Sequence, residues 1–226
     1  MTKKDIFFKV SFYVLAAIIF VFCAIIVISF AAGYKIDFQN LKVSQTGIVI
    51  VKTANRLGDI YIDGHKKGDG RVILRGLNPG HYDLRITKDN YQSYTEIFYL
   101  NPGEAKIIDN VVLFLDLPEI KELNDRNDIP FDKLSDTAGI TFNHNELFVN
   151  GKFLSRFEGQ VSDACWYPNE RYIGLSVNNH FQIIDIETLH TYPLFEKFST
   201  EPVLFTNSGK SVLYKSNDKI YSAIIR

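Results

Sequence analysis

The chain has 226 residues, which at roughly 100 to 200 residues per domain allows one large domain or two small ones and excludes a large multidomain enzyme. Its charge is balanced, with 25 Lys and Arg against 26 Asp and Glu, so no global field selects nucleic acid or a strongly acidic partner. Aromatic residues make up 14 % of the chain, a mix that favours pleated, half-buried strands, and two cysteines, Cys23 and Cys165, cannot make a disulfide framework.

The first predicted element is a membrane helix over residues 10–33. From Val10 to Gly33 the chain carries no charge, and Lys9 and Lys35 bound the run. About 20 apolar residues cross a hydrocarbon core of ~30 Å, and lipid offers no partner to unpaired backbone groups, so a helix is required. Ala31-Ala32-Gly33 has the small residues of a signal-peptidase site, but the apolar run exceeds the roughly 7 to 15 residues of a signal peptide. A core helix is the other alternative, and nothing else in the chain is apolar enough to wrap it on every side. Lys3, Lys4 and Lys9 against Asp5 place the tail of residues 1–9 in the cytoplasm. The expectation is a single-pass cell-membrane protein with its C-terminal domains outside the cytoplasm. Cys23 lies mid-helix as a small apolar filler.

After a linker over residues 34–43, a β domain is predicted over residues 44–115. Short apolar runs recur at Ile48 to Val51, Ile60 to Ile62, Val72 to Leu74, Tyr82 to Ile86, Tyr94 to Leu100 and Val111 to Leu115. The clearest alternation, Tyr82-Asp83-Leu84-Arg85-Ile86, puts apolar side chains on one face and charges on the other. Asp63-Gly64, Asp69-Gly70, Asn78-Pro79-Gly80 and Asn101-Pro102-Gly103 supply the positive or fixed φ of tight turns. The pattern predicts an antiparallel β-sandwich or barrel.

These residues resemble the PEGA domain family. The matching pieces are Gly47-Ile48-Val49-Ile50, Ile60-Tyr61-Ile62-Asp63-Gly64, Gly68, Gly76-Leu77-Asn78-Pro79-Gly80-His81-Tyr82, Asn90-Tyr91 and Asn101-Pro102-Gly103-Glu104, in order. Two positions depart from the family pattern: Asn55-Arg56-Leu57-Gly58 replaces the segment that names the family, and Asp69-Gly70 replaces its usual Thr-Pro. The resemblance implies a small β-sandwich module of bacterial and archaeal envelope proteins, often beside a membrane anchor, with no catalytic activity.

Residues 116–136 mix acids with two prolines and read as a linker, with room for a helical turn or two after Pro118. Residues 137–226 carry an imperfect repeat. Trp166 to Ser176 with Phe181 to Asp185 lies over Phe205 to Lys215 with Ile220 to Ile224 at an offset of 39 residues, and Gly139 to Phe142 with Leu147 to Phe153 makes a fainter third copy. The units resemble blades of the TolB-like and WD-repeat propeller families. Trp166, Pro168, Tyr172 and Ile173 match, while Glu170 stands where glycine is usual and Gly209 restores it in the next copy. A closed propeller takes at least four blades, so the resemblance implies an incomplete, propeller-like β region, with blade edges open to self-association.

The chemistry-bearing residues show no catalytic, cofactor or metal constellation. His65, His81, His144, His180 and His190 lack ligand spacing, and Asp63-Gly64, Asp69-Gly70 and Asn124-Asp125-Arg126-Asn127-Asp128 lack the spacing of a calcium loop. Cys165 and Trp166 sit in a predicted strand, as core. The expected protein is mainly β and non-catalytic. It is anchored in the lipid bilayer, uses no cofactor, and offers its modules to envelope proteins or surface polymers rather than nucleic acid. The alternatives are a ligand-sensing or regulatory single-pass receptor, and an envelope hydrolase acting through an acid such as Asp63.

Overall fold

The computed structural model of the protein describes residues 3–31, 33–37, 42–54, 56–123, 135–217 and 219–226. The Asn124 to Asp128 cluster, Ala32 and Asn55 therefore lie outside the described residues. Helix α1 spans Lys3–Ala31, so the predicted tail is already helical from Lys3. Within it Ser11–Ala31 is long and apolar enough to cross a membrane, and none of that stretch is packed inside the protein. By length and composition a signal sequence passes the same test. A helix apolar all round has to be buried somewhere, and here the protein does not bury it.

The predicted linker after the helix is largely a hairpin. β1 (Tyr34–Asp37) and β2 (Lys42–Gln45) pair antiparallel with Tyr34 opposite Gln45. The hairpin loops out and returns to the helix end, where the Thr46 N–H and hydroxyl both donate to the Gly33 carbonyl at 2.8 Å. The first β unit thus starts at the end of the helix.

That unit has seven strands: β3 (Gly47–Thr53), β4 (Asp59–Ile62), β5 (His65–Asp69), β6 (Arg71–Leu77), β7 (Gly80–Thr87), β8 (Tyr94–Leu100) and β9 (Ala105–Val111). They form two sheets, ordered β6-β3-β9 and β5-β4-β7-β8. Alternation fixes the inner faces: Val49, Val51 and Ile108 from one sheet share a core with Ile60, Leu84, Ile86 and Tyr94 from the other, while Asp83 and Arg85 stay exposed. One pair departs from the expected antiparallel pattern, because β3 and β9 run parallel. β9 arrives from the opposite sheet through the Asn101–Glu104 turn, so no hairpin forces it to reverse against β3. The run at Val111 to Leu115 also differs from expectation. β9 ends at Val111, and Val112, Leu113 and Phe114 continue as buried irregular chain.

The C-terminal region contains β10 (Glu119–Leu123), β11 (Ile140–Asn143), β12 (Glu146–Val149), β13 (Lys152–Arg156), β14 (Val161–Trp166), β15 (Tyr172–Val177), β16 (His180–Asp185), β17 (Thr191–Glu196), β18 (Leu204–Thr206), β19 (Ser211–Ser216) and β20 (Lys219–Ile224). Three sheets result, ordered β11-β12-β13, β14-β15-β16-β17 and β10-β20-β19-β18. The repeat is real at this level. β15 and β16 begin at Tyr172 and His180, β19 and β20 at Ser211 and Lys219, each pair 39 residues apart. Residues 119–123, read from the sequence as connector or helical turn, instead form the edge strand β10 against β20. Exposed Glu122 and Lys219 pair across that edge at 2.9 Å. The two β regions are not separate bodies, because one continuous hydrophobic cluster runs from Val49 to Ile225.

Candidate functional site

The junction between the two β regions is built around Phe114. Its ring meets Tyr167, Tyr172 and Tyr192 at centroid distances of 5.8, 5.5 and 5.3 Å, the first two edge-on. The Val112 N–H, left without a ladder partner where β9 ends, donates to the Tyr172 hydroxyl at 2.9 Å. Burial pushes the Tyr172 and Tyr192 phenols well above the usual range. The Tyr192 hydroxyl is buried with no hydrogen-bond partner.

Beside this aromatic cluster Arg171, 6 % exposed, reaches from the turn before β15 into the first β unit. Its Nε donates to the Asp185 carboxylate at 3.0 Å, its Nη1 to the Asp109 carbonyl at 2.6 Å and its Nη2 to the Tyr94 hydroxyl at 2.9 Å. Tyr94 in turn donates to Glu96, and Asp185 also accepts the Glu187 and Thr188 backbone N–H groups. One guanidinium, itself on a turn, thus uses its planar fork to tie together strands of three sheets, β8, β9 and β16. Removing one partner of such a buried pair costs about 3 to 5 kcal/mol, because it strands the other charge.

A second buried ion pair lies further into the C-terminal region. Lys197 is fully buried, and its ammonium donates to Asp163 and to the Ser199 carbonyl, both at 2.8 Å, with Ser176 at 3.5 Å. Burial raises the pKa of Asp163 and the Lys197 charge opposes that rise. Oδ1 of Asp163 has no partner. The ammonium has three acceptors around it, which its three N–H donors match as an ion pair.

The arrangement leaves an open cleft of about 700 Å³ between the outer face of β7 and β8 and the turn at 187–190. Asp83 and Glu187 supply carboxylates to its walls, Ile97 and Leu189 supply apolar surface, and His190 stands edge-on to Tyr192, while Glu96 at its edge is turned inward to the Tyr94 hydroxyl. Arg171 lies 3.2 Å from Glu187, so part of the acidity is already neutralised. A smaller cleft of about 210 Å³ is lined by Cys165, Trp166, Asp136 and Glu170.

The residues singled out from the sequence fall mostly into turns and edges. Asp63 and Gly64 form the hairpin between β4 and β5 with φ of 49° and 75°, and an Asp63 carboxylate oxygen accepts the Asp83 N–H at 2.9 Å. Asp69 and Asp59 flank Lys66 at 3.0 and 2.9 Å, an exposed cluster on a hairpin. His65, His144 and His180 bond to neighbours one or two residues away, and among the described residues no group of three His, Cys, Asp or Glu is placed to hold a metal. Cys165 is buried and burial drives its thiol pKa up, the opposite of an activated nucleophile. Trp166 is half-buried and its indole N–H donates to the Ala138 carbonyl at 2.8 Å. Glu170 adopts φ of 57°, which explains why glycine suits that turn. Arg171, Lys197 and their acids escaped the sequence reading because an isolated charge in a strand-rich segment reads as surface.

The departures from the family pattern also have places. The Thr53 hydroxyl bonds to the Leu57 and Gly70 carbonyls at 2.8 and 3.1 Å, closing the turn that holds Arg56 to Gly58. The Asn101 N–H and side-chain amide donate to Glu104 at 2.7 and 2.8 Å, and the Tyr82 hydroxyl donates to the Asn78 carbonyl at 2.7 Å. These contacts give the Asn-Pro-Gly motifs a physical role as closed turns. No curated protein matches the chain. The PEGA domain family matches residues 46–111, so the unit built by β3 to β9 is similar to a PEGA domain and the C-terminal sheets lie beyond the match.

Proposed function

We propose that the protein is a non-catalytic, single-pass envelope protein. It displays a PEGA-like module and blade-like β sheets as one rigid body for contact with envelope proteins or surface polymers. The observation that carries this reading is the short path from helix to module, in which Thr46 at the head of the PEGA match is bonded twice to Gly33. A module so close to a bilayer is held in a fixed position. The buried ionisable groups support a scaffold role: Arg171, Asp185, Lys197 and Tyr172 all spend their polar atoms on contacts between elements. The cleft of Asp83, Glu187, Ile97 and Leu189 suits a cationic, partly apolar segment of a partner.

Tags at the two ends and protease treatment of intact and permeabilised cells test the topology. Cleavage of the C-terminal tag in intact cells is expected, and its protection until permeabilisation overturns the reading. Binding of the purified protein to a cationic peptide, weakened at least several-fold by Asp83→Lys at the exposed cleft wall, tests the cleft.

A further inference from the structure

The outer face of the β6-β3-β9 sheet is a second surface that the cleft does not explain. Alternation and register set it out in rows. Arg75, Ile48 and Ala105 lie side by side nearest the helix, Ile73, Ile50 and Ile107 make the next row, and Arg71 and Lys52 follow. Ile73 and Ile107 are 43 % and 59 % exposed, and among the described residues no element packs over them. Three isoleucines in one row across all the strands of a sheet are more apolar than a solvent face requires. The first row also lines a notch of about 770 Å³ whose far wall is the end of the helix, Phe30 and Ala31, with Lys35 at its rim. The face is therefore continuous with the segment that would leave the bilayer.

We infer that this face rests on an anionic lipid surface beside the chain's own helix, with Arg75 and Lys35 meeting lipid phosphate and the Ile73, Ile50 and Ile107 row meeting the headgroup and acyl boundary. Charge selects this occupant. Lys52, Arg71 and Arg75 stand on the face against one exposed acid, Asp109, while Glu104 at the notch is turned into its contacts with Asn101. A negative leaflet attracts such a group of cations. A second copy docked face to face would set the same cations against one another. The opposite sheet offers the contrast, since its outer face carries Asp83 beside Ile97 and lines the cleft, while Glu96 faces inward to the Tyr94 hydroxyl.

The inference rests on the membrane-anchored reading, and the experiment separates the two. The full chain is placed in lipid nanodiscs with and without anionic phosphatidylglycerol, and spin labels report collision with oxygen, which concentrates in lipid, and with a water-soluble nickel chelate. Labels at Ile107→Cys and Ile97→Cys are each introduced into a chain carrying Cys23→Ser, and native Cys23 is labelled in the unsubstituted chain. In anionic discs the label at 107 is expected to collide several-fold less with nickel than the label at 97. The difference should shrink in neutral discs and on adding Arg71→Glu with Arg75→Glu. Equal nickel collision at 107 and 97 in anionic discs, with the Cys23 label in lipid, overturns the inference alone. A water-exposed Cys23 label overturns the anchored reading. The two labelled sites are exposed, so neither substitution opens the core.

Discussion

The PEGA-like unit and the C-terminal sheets are both made of short, aromatic-rich strands, yet they bury opposite kinds of group. Among the described residues of the first unit, the buried polar side chain is Thr53, whose hydroxyl closes a turn. In the second, Asp163, Arg171, Ser176, Asp185, Lys197, Ser211 and Ser216 are buried. The first unit is specified locally, by alternation and by turns that close on themselves. The second is specified by charges that find partners only when distant strands meet, as Lys197 does with Asp163 and Arg171 with Asp185. A core built this way is intolerant of losing one partner and tolerant of losing both.

The sharpest way to break that contrast is Lys197→Met, which leaves Asp163 buried without its cation. A loss of about 3 to 5 kcal/mol in urea unfolding is expected, and the double substitution Asp163→Leu with Lys197→Met should recover most of it. Burial raises the Asp163 pKa above the ordinary 3.8, so in the single variant the native state holds that proton more tightly than the unfolded chain. The contribution of this group should then be fully present below its unfolded value and be lost as the pH rises through the native one. A single variant as stable as the parent would show that charge does not organise this region.

Phe114→Ala tests whether the two regions are one cooperative body. A cost of about 3 to 5 kcal/mol is expected, and the parent should unfold in a single transition by circular dichroism and by tyrosine fluorescence. Two separated transitions in the parent would divide the core that runs through Phe114. A smaller effect is expected for Tyr172→Phe, which removes the acceptor of the buried Val112 N–H and should cost about 1 to 3 kcal/mol.

Glu170→Gly should act in the other direction. Relief of a left-handed φ, set against the greater freedom of glycine in the unfolded chain, predicts a gain of up to about 1 kcal/mol by thermal unfolding. The smallest effect belongs to the PEGA-like unit. The Asn101 N–H and side chain hold the Glu104 pKa below its ordinary value, so its contribution is present above that value and fades as pH falls through the native one. Glu104→Gln should flatten this part of the acid limb by lowering stability slightly at neutral pH while leaving it unchanged at low pH.

The legible part of the fold is the part set by near neighbours. The uncharged run of 24 residues fixes a membrane-length helix, because backbone groups and side chains there have no other apolar refuge. Alternation at Tyr82 to Ile86 and the Asp63-Gly64 turn place β7 and the β4-β5 hairpin, because period two and positive φ are local properties. The repeat offset places β15, β16, β19 and β20 for the same reason. Three features had no local sign. β10 forms because β20 presents an open edge, the β1-β2 hairpin folds back because Gly33 accepts from Thr46, and the cleft exists because Arg171 pulls the 187–190 turn against β8. Composition and periodicity thus determined the membrane-length apolar helix, the β class and the PEGA-like turns. Tertiary structure alone decided that the two β regions share one core and which charges are buried, because an ion pair between strands far apart in sequence has no period to betray it.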